Sequence, residues 1–173
     1  MIEREVKIPV PDHAALRPLL LAMGATEQGV EQEINRILDD SDGRLRAARQ
    51  VLRVRSADVT TLTFKAVVPD DGSGHKLREE LEVSIGSGGD EILLHILARL
   101  GYREALRYDK RRESWRWRGV VIALDSLAFG HFVEIEGDGE DIDAAIRLLD
   151  LQAHPHEGRS YPELQRRAQG DRP

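Results

Sequence analysis

Apolar and polar residues alternate along most of this chain, and alternation is the mark of a strand with one buried face. The opening IEREVKI (2–8) alternates, and Pro9 and Pro11 end it. EINRILD (33–39), VLRVRS (51–56), TTLTFKA (60–66) and KLREELEVS (76–84) continue the pattern. So do LRYDKRRESWRW (106–117), VVIALD (120–125) and HFVEIEG (131–137). Helical periodicity takes over in four places. Asp12 can cap a helix running to about Met23, bent or shortened by Pro18 and stopped by Gly24. Further helices are predicted over 90–100, ending at Gly101, over about 140–150, and over 161–168. DDSDG (39–43) and PDDGSGHK (69–76) read as a turn and a polar loop.

Eight strands joined mainly by short turns predict an α+β domain with a largely antiparallel sheet. It should occupy residues 1–168 as one unit, with 169–173 a frayed tail. LLLAMGA (19–25) and ILARLGY (96–102) echo each other, each following one charged strand and preceding another. Two similar halves are one reading of that echo.

The period of two sorts the side chains sharply. One face carries Val6 and Ile8, Leu52 and Val54, Leu62 and Phe64, Leu81 and Val83, Val133 and Ile135. The other carries Glu3, Glu5 and Lys7, then Arg53 and Arg55, then Thr61, Thr63 and Lys65. It continues with Arg78, Glu80 and Glu82, Lys110 and Arg112, Asp125, Glu134 and Glu136. A strand with one charged face is ordinarily half-buried and wet on the other side. The clustering departs from that norm. Like charges two residues apart on a strand lie roughly 6.5–7 Å apart. They repel by about 2 kcal/mol at an effective dielectric near 20. Repeated E-x-E and R-x-R pairs need something that neutralises them. The seven acids named balance the seven bases, so a sheet curled shut with this face inward would enclose a charged but nearly neutral lumen.

Composition narrows what that lumen serves. Of 173 residues, 32% are charged and the net charge is −6, which sets a general nucleic-acid coat aside. There is no Cys, so thiol nucleophiles, disulfides and cysteine-ligated zinc are excluded. No apolar run has the length of a membrane span and no signal-like core opens the chain, so the expected setting is the cytoplasm. Arg forks and Lys ammonium groups grip polyphosphate oxygens. Carboxylates without Cys suit hard cations such as Mg²⁺ or Mn²⁺. A metal-bound polyphosphate asks for both together.

The ordered set E-x-E-x-K (Glu3, Glu5, Lys7), Arg53-x-Arg55, Lys65, Arg78-x-Glu80-x-Glu82, Lys110-x-Arg112, Asp125 and Glu134-x-Glu136 resembles the CYTH superfamily. These are the triphosphate tunnel metalloenzymes, among them class IV adenylate cyclases and thiamine triphosphatases. INRILDD (34–40), GHFVEIEG (130–137) and SYPEL (160–164) look most like the cyclase-like branch. The resemblance implies a closed antiparallel eight-stranded β-barrel with helices outside, a divalent metal, a triphosphate substrate and frequent homodimers. Carried over by position, Glu3, Glu5, Asp125, Glu134 and Glu136 are the metal-side carboxylates. Glu80 and Glu82 hold a second metal or the basic residues. Lys7, Arg53, Arg55, Lys65, Arg78, Lys110 and Arg112 line the triphosphate path. A Lys crowded by Arg loses its proton more readily, which makes Lys110 or Lys65 the candidate base.

The resemblance covers two reactions. In hydrolysis water attacks the terminal phosphoryl group of tripolyphosphate, ATP or thiamine triphosphate. In cyclisation the ribose 3′-hydroxyl of ATP attacks the α-phosphorus and yields cyclic AMP. Hydrolysis is preferred because no base-reading motif is visible. A sensor that binds polyphosphate without turnover is the third reading, and the abundance of acids argues against it. Trp115 and Trp117 fall on the parity opposite Arg112 and are assigned to packing under a helix or at a dimer contact. His131 is weighed as a metal ligand and set behind the carboxylates. HPHEGRSY (154–161) is taken as a cover for one tunnel end, with Tyr161 structural. Gly72-Ser73-Gly74-His75-Lys76 lacks Walker spacing and is taken as a hairpin loop.

Overall fold

The computed structural model describes residues 2–69, 72 and 75–170. Strands β1 (Ile2–Val10), β2 (Thr26–Asp39), β3 (Val51–Ser56) and β4 (Thr60–Val67) make the first half of the sheet. Strands β5 (Lys76–Gly86), β6 (Arg103–Trp117), β7 (Val120–Leu127) and β8 (Gly130–Gly137) make the second. Every pairing is antiparallel, and the order β1-β5-β4-β3-β2-β6-β7-β8 returns to β1, closing the sheet into an uneven ring. Five helices accompany it: α1 (Leu16–Ala22), α2 (Arg44–Ala47), α3 (Asp90–Arg99), α4 (Gly139–Leu148) and α5 (Tyr161–Ala168).

Exchanging β1–β4 with β5–β8 maps the ring order onto itself. Helix α1 follows β1 as α3 follows β5, and β2 pairs with β6 across the join. The echo between LLLAMGA and ILARLGY is therefore topological: each closes a helix and feeds one of these two central strands.

Most elements fall where alternation puts them, and the departures have local causes. Helix α1 starts at Leu16 instead of Asp12. Asp12 Oδ1 accepts the Ala14 N–H in a preceding turn, and Pro18 then sits in the first helical turn, where its missing N–H costs nothing. Strand β2 begins at Thr26, seven residues before its clear alternation, because β6 supplies a ladder partner as far as Arg116. A bulge between Glu27 and Gly29 interrupts the period there, which hid the strand. The short helix α2 has no apolar stripe to announce it. Asp39 makes it, accepting the N–H groups of Leu45 and Arg46 on its two oxygens. Half of the loop assigned to 69–76 (70, 71, 73 and 74) lies outside the described residues, as do 171–173 of the tail; Gln169 and Gly170 still bond back to the last turn of α5.

The ring's outer face is apolar and the helices cover part of it. Helices α1 and α4 lie over β1, β6, β7 and β8, enclosing Val6, Ile8, Leu20, Ile122, Leu124, Ile135 and Ile142. Trp115 and Trp117 belong to this cluster, so they pack under helices. Their indole N–H groups donate to Glu113 and to the Met23 carbonyl. Where β8 ends, Gly137 has φ +145° and lies so close to β7 that a Cβ would stand 2.3 Å from the Gly119 carbonyl oxygen. Only glycine allows that approach.

Leu20 is fully buried in the main cluster, whereas Leu21 beside it is 66% exposed. Leu20→Ala should cost about 3 kcal/mol by leaving a cavity, and Leu21→Ala less than about 0.5 kcal/mol. Urea unfolding of the two variants checks this contrast.

Candidate functional site

Closure brings the ionic face inward around a cavity of about 820 Å³. Thirteen of the fourteen charged residues assigned to that face by alternation line it: Glu3, Glu5, Lys7, Arg53, Arg55, Lys65, Arg78, Glu80, Glu82, Lys110, Arg112, Glu134 and Glu136. Asp125, fully buried, stands behind Arg112.

Register explains most of the contacts. Lys7 lies opposite Glu134, Lys65 opposite Glu80, Arg112 opposite Asp125, and Glu33 opposite Lys110. Opposite charges directly across a ladder attract, and shielding from water strengthens the pairing. The side chains accordingly meet: Lys7 Nζ to Glu134 at 3.2 Å, Lys65 Nζ to Glu80 at 3.1 Å, Lys110 Nζ to Glu33 at 3.2 Å. Arg112 grips Asp125 with both Nε (2.7 Å) and a terminal nitrogen (2.5 Å), and that second nitrogen also donates to Glu134.

Among the described residues, one inward-facing pair breaks the rule. Glu5 lies directly opposite Glu136 in the ladder, an acid facing an acid. Glu3 is on the same face one step along β1, and Glu80 shares Lys65 with it, Lys65 Nζ lying 2.6 Å from Glu3. Lys76 bonds Glu5 at 2.6 Å. Two ammonium groups thus serve four acids, and the deficit appears in the protonation of Glu136 and Glu3. Burial raises the pKa of Glu136, and Glu3, Glu80 and Glu5 add to it, to about 7 despite Lys65. Burial raises that of Glu3 as well, with Lys65 opposing.

The other end is saturated with cations. Burial works against the charge of Glu134, but Lys7, Arg112 and Lys110 outweigh it and hold its pKa well below the usual range. Glu33 behaves likewise: burial is overcome by Lys110 and Arg112, helped by the Asn35 amide, and the pKa falls to about 2. The two candidate bases part company here. Burial and then Arg112 lower the pKa of Lys110 in spite of Asp125 and Glu33. Burial and Arg53 also press on Lys65, yet Glu3, Glu80 and Glu5 prevail and its pKa rises.

Between the two ends lie Arg53 and Arg55. Arg53 donates to Thr63 (3.2 Å), which donates in turn to Glu82 (2.8 Å), and Arg55 donates to Thr61 (3.2 Å). Arg53 Nε is buried without a hydrogen-bond partner among the described residues.

Three contributors escaped the sequence reading. Glu33, 1% exposed, meets Lys110, and Arg55 at 3.6 Å. Its own strand places Ile37 on the same face, and that apolar residue masked the ionic pattern. Lys76 shares the parity of Arg78 but stands at the edge of the polar loop. Tyr108, buried beside Arg53, carries a phenol pushed up to about 12, by burial first. Tyr161 does more than pack. Its hydroxyl donates to Asp125 at 2.7 Å, and the Lys7 ammonium sits 4.2 Å from its ring centre. The strap before it is tied to β1: the Glu157 N–H donates to the Lys7 carbonyl, and Lys7 Nζ to the Arg159 carbonyl. The cover expected from HPHEGRSY thus closes over the cationic end. His131 faces the other way from Glu134 and lies within hydrogen-bonding reach of Ser126.

Among the described residues no three acidic or imidazole side chains are gathered tightly enough to cage an ion, and no helix is long and apolar enough to cross a membrane. No curated protein sequence matches the chain. Solved structures share its fold. The PH1012 protein of Pyrococcus horikoshii OT3 is 23% identical, covers 94% of this chain and 98% of its own, and superposes with a TM-score of 0.76. An adenylate cyclase candidate from Vibrio parahaemolyticus is 19% identical over 95% and 98%, with a TM-score of 0.77. HpAC1 of Hippeastrum, an adenylyl cyclase candidate with a dominant triphosphatase activity, is 20% identical over 99% and 96%, with a TM-score of 0.69. The model of the CYTH domain matches residues 1–160, the span that carries every inward strand, and the chain belongs to the CYTH domain family.

Proposed function

We propose that this protein is a divalent-metal-dependent enzyme that hydrolyses a triphosphate inside its ring. The facing carboxylates Glu5 and Glu136 carry the reading. Like charges opposed across a ladder are destabilising, and a bound cation removes the penalty. Hard oxygen donors suit Mg²⁺ or Mn²⁺, so Glu3, Glu5, Glu80 and Glu136 fit as its holders, with Glu82, Asp125 and Glu134 further along the same interior. Such an ion supplies neutralisation of phosphoryl oxygens and acidifies water.

The chain's own residues do the rest. Lys7, Arg53, Arg55, Lys65, Arg78 and Arg112 bind and orient the phosphate chain, their forks matched to its oxygens. Because they are fixed before substrate arrives, they stabilise charge growing on the leaving oxygens without reorganising. Lys110, whose pKa is lowered, is better poised than Lys65 to take the proton of the attacking water. Hydrolysis is preferred to cyclisation because it needs no nucleoside pose, and it agrees with the activity of the Hippeastrum protein. Production of cyclic AMP from ATP is the second reading, favoured by the cyclase-like motifs. The same reading sets the enzyme in the cytoplasm as one domain and as a homodimer.

Tripolyphosphate, ATP and thiamine triphosphate, each with Mg²⁺ or Mn²⁺, should release orthophosphate; cyclic AMP without orthophosphate would transfer the assignment to the cyclase. Glu5→Gln and Glu136→Gln should each lower the metal-dependent rate about 100-fold or more with an unchanged circular dichroism spectrum. Full rate in both would remove the metal from these acids.

The raised pKa of Glu136 gives two pH effects. Metal binding requires the carboxylate, so the rate should fall as pH drops below about 7, and Glu136→Gln should abolish that limb. Stability runs the other way. The folded chain holds this proton more tightly than the unfolded one, so without metal the stability contributed at pH 5 is lost as pH rises through about 7. Thermal melts at pH 5.5 and 8, with and without Mn²⁺, should show the loss and its reversal by metal.

A further inference from the structure

A second cavity, of about 540 Å³, adjoins the first on the outside of the ring. Strand β6 is laddered to β2 from Arg103 to Arg116, but to β7 from Lys110 onward, because β7 turns back into β8 at Leu127–Gly130. Among the described residues, 103–109 of β6 therefore have no ladder partner on the β7 side. Leu164 of α5 packs against the cluster of Leu106 and Tyr108 there instead. The second cavity opens at this break in the wall, with Arg107, Ser126 and Gln165 in its lining. Tyr108 and Lys110 line both cavities, so they stand between the interior and the outer surface.

Taking hydrolysis in the ring as given, we propose that this outer cavity binds orthophosphate and that the product reaches it past Tyr108. One rung of the ladder supplies the donors. Gln32 of β2 and Ser126 of β7 are the direct partners of Arg111, and all three line the cavity. Neighbouring strands are about 4.8 Å apart, so an amide, a guanidinium and a hydroxyl stand in one short row. Among the described residues the Arg111 guanidinium makes no hydrogen bond. It approaches Glu113 at 3.6 Å, beyond hydrogen-bonding length, because Arg17 and Trp115 already hold that carboxylate. Its fork of donors is therefore available to phosphate oxygens. Among the described lining residues Asp109 is the one acid, and it faces Arg107 at 3.4 Å. With Lys110 and Arg111 added, the lining is net cationic. The place of the chemistry gives the cavity its ligand. A terminal phosphoryl group attacked beside Lys110 is released at the cationic end, which the strap closes. The rest of the phosphate chain bars the way back towards the acids. The break beside Tyr108 and Lys110 is the shortest way out, and a net cationic lining attracts the anion.

Inorganic phosphate titrated calorimetrically into the metal-free full chain, with the ring filled by excess tripolyphosphate, tests the site directly. Orthophosphate should still bind, and Arg111→Ala should weaken it at least about tenfold. Gln32→Glu, a change on an exposed side chain, should do the same by setting a carboxylate against the anion, and it decides the matter if Arg111→Ala fails to fold. During tripolyphosphate hydrolysis with Mg²⁺ or Mn²⁺, added orthophosphate should inhibit non-competitively, since it binds while the ring is occupied. Arg111→Ala should relieve that inhibition with KM unchanged. Purely competitive inhibition, or binding that neither variant weakens, overturns the proposal. A chain that hydrolyses no triphosphate removes the hydrolysis reading and with it the product route, whereas the titration still upholds or overturns the phosphate site.

Discussion

Closure of the sheet is the constraint on which everything else rests. Eight alternating strands each have an apolar and an ionic side, and a ring must choose which goes inward. Here the ionic side does. Charges removed from water are costly unless paired, so register has to place opposite signs across the ladder. It does so for Lys7 and Glu134, Lys65 and Glu80, and Arg112 and Asp125. The apolar side faces outward and has to be covered, which is the structural task of α1 and α4.

That arrangement inverts the usual globular plan. The hydrophobic core sits between ring and helices, and the centre is a polar cavity. Rigidity follows from the inversion. Each inward side chain is flanked by a strand on both sides, and Lys7, Lys65, Lys110 and Arg112 are each held by partners of opposite sign, so that part of the site is preorganised before anything binds. Its function follows from the place where pairing fails. Four acids share two ammonium groups near Glu5 and Glu136, while Glu134 and Glu33 lie among an excess of cations. A substrate that brings both a metal and a chain of phosphates completes both ends together.

The strap from Glu157 to Tyr161 belongs to the same logic. It closes the cationic end by using groups that the site also needs: the Lys7 ammonium and the Asp125 carboxylate. Tyr161 is therefore coupled to the charges of the interior, and burial followed by Glu134 and Asp125 keeps its phenol protonated.

Much of this was legible in the chain. Period-two alternation depends only on neighbouring residues, so it located the strands and sorted inward from outward side chains, as Glu3, Arg53, Glu80 and Glu134 show. Whether the sorted face would be enclosed or wet depends on which strands pair, and the ring order decides that. Glu33 was hidden because Ile37 shares its face, and its role exists through Arg55 on β3 and through Lys110, on a strand more than seventy residues away. The early part of β2 was hidden because a bulge breaks the period and only β6 makes it a strand. The signs of the charges could be read off the sequence. Which acid lacks a counter-ion could not, because compensation is a property of distances across the ring. The sequence by itself determined a two-faced sheet rich in acids and bases; tertiary structure alone decided that Glu5 would face Glu136, because pairing register is a long-range outcome of closure.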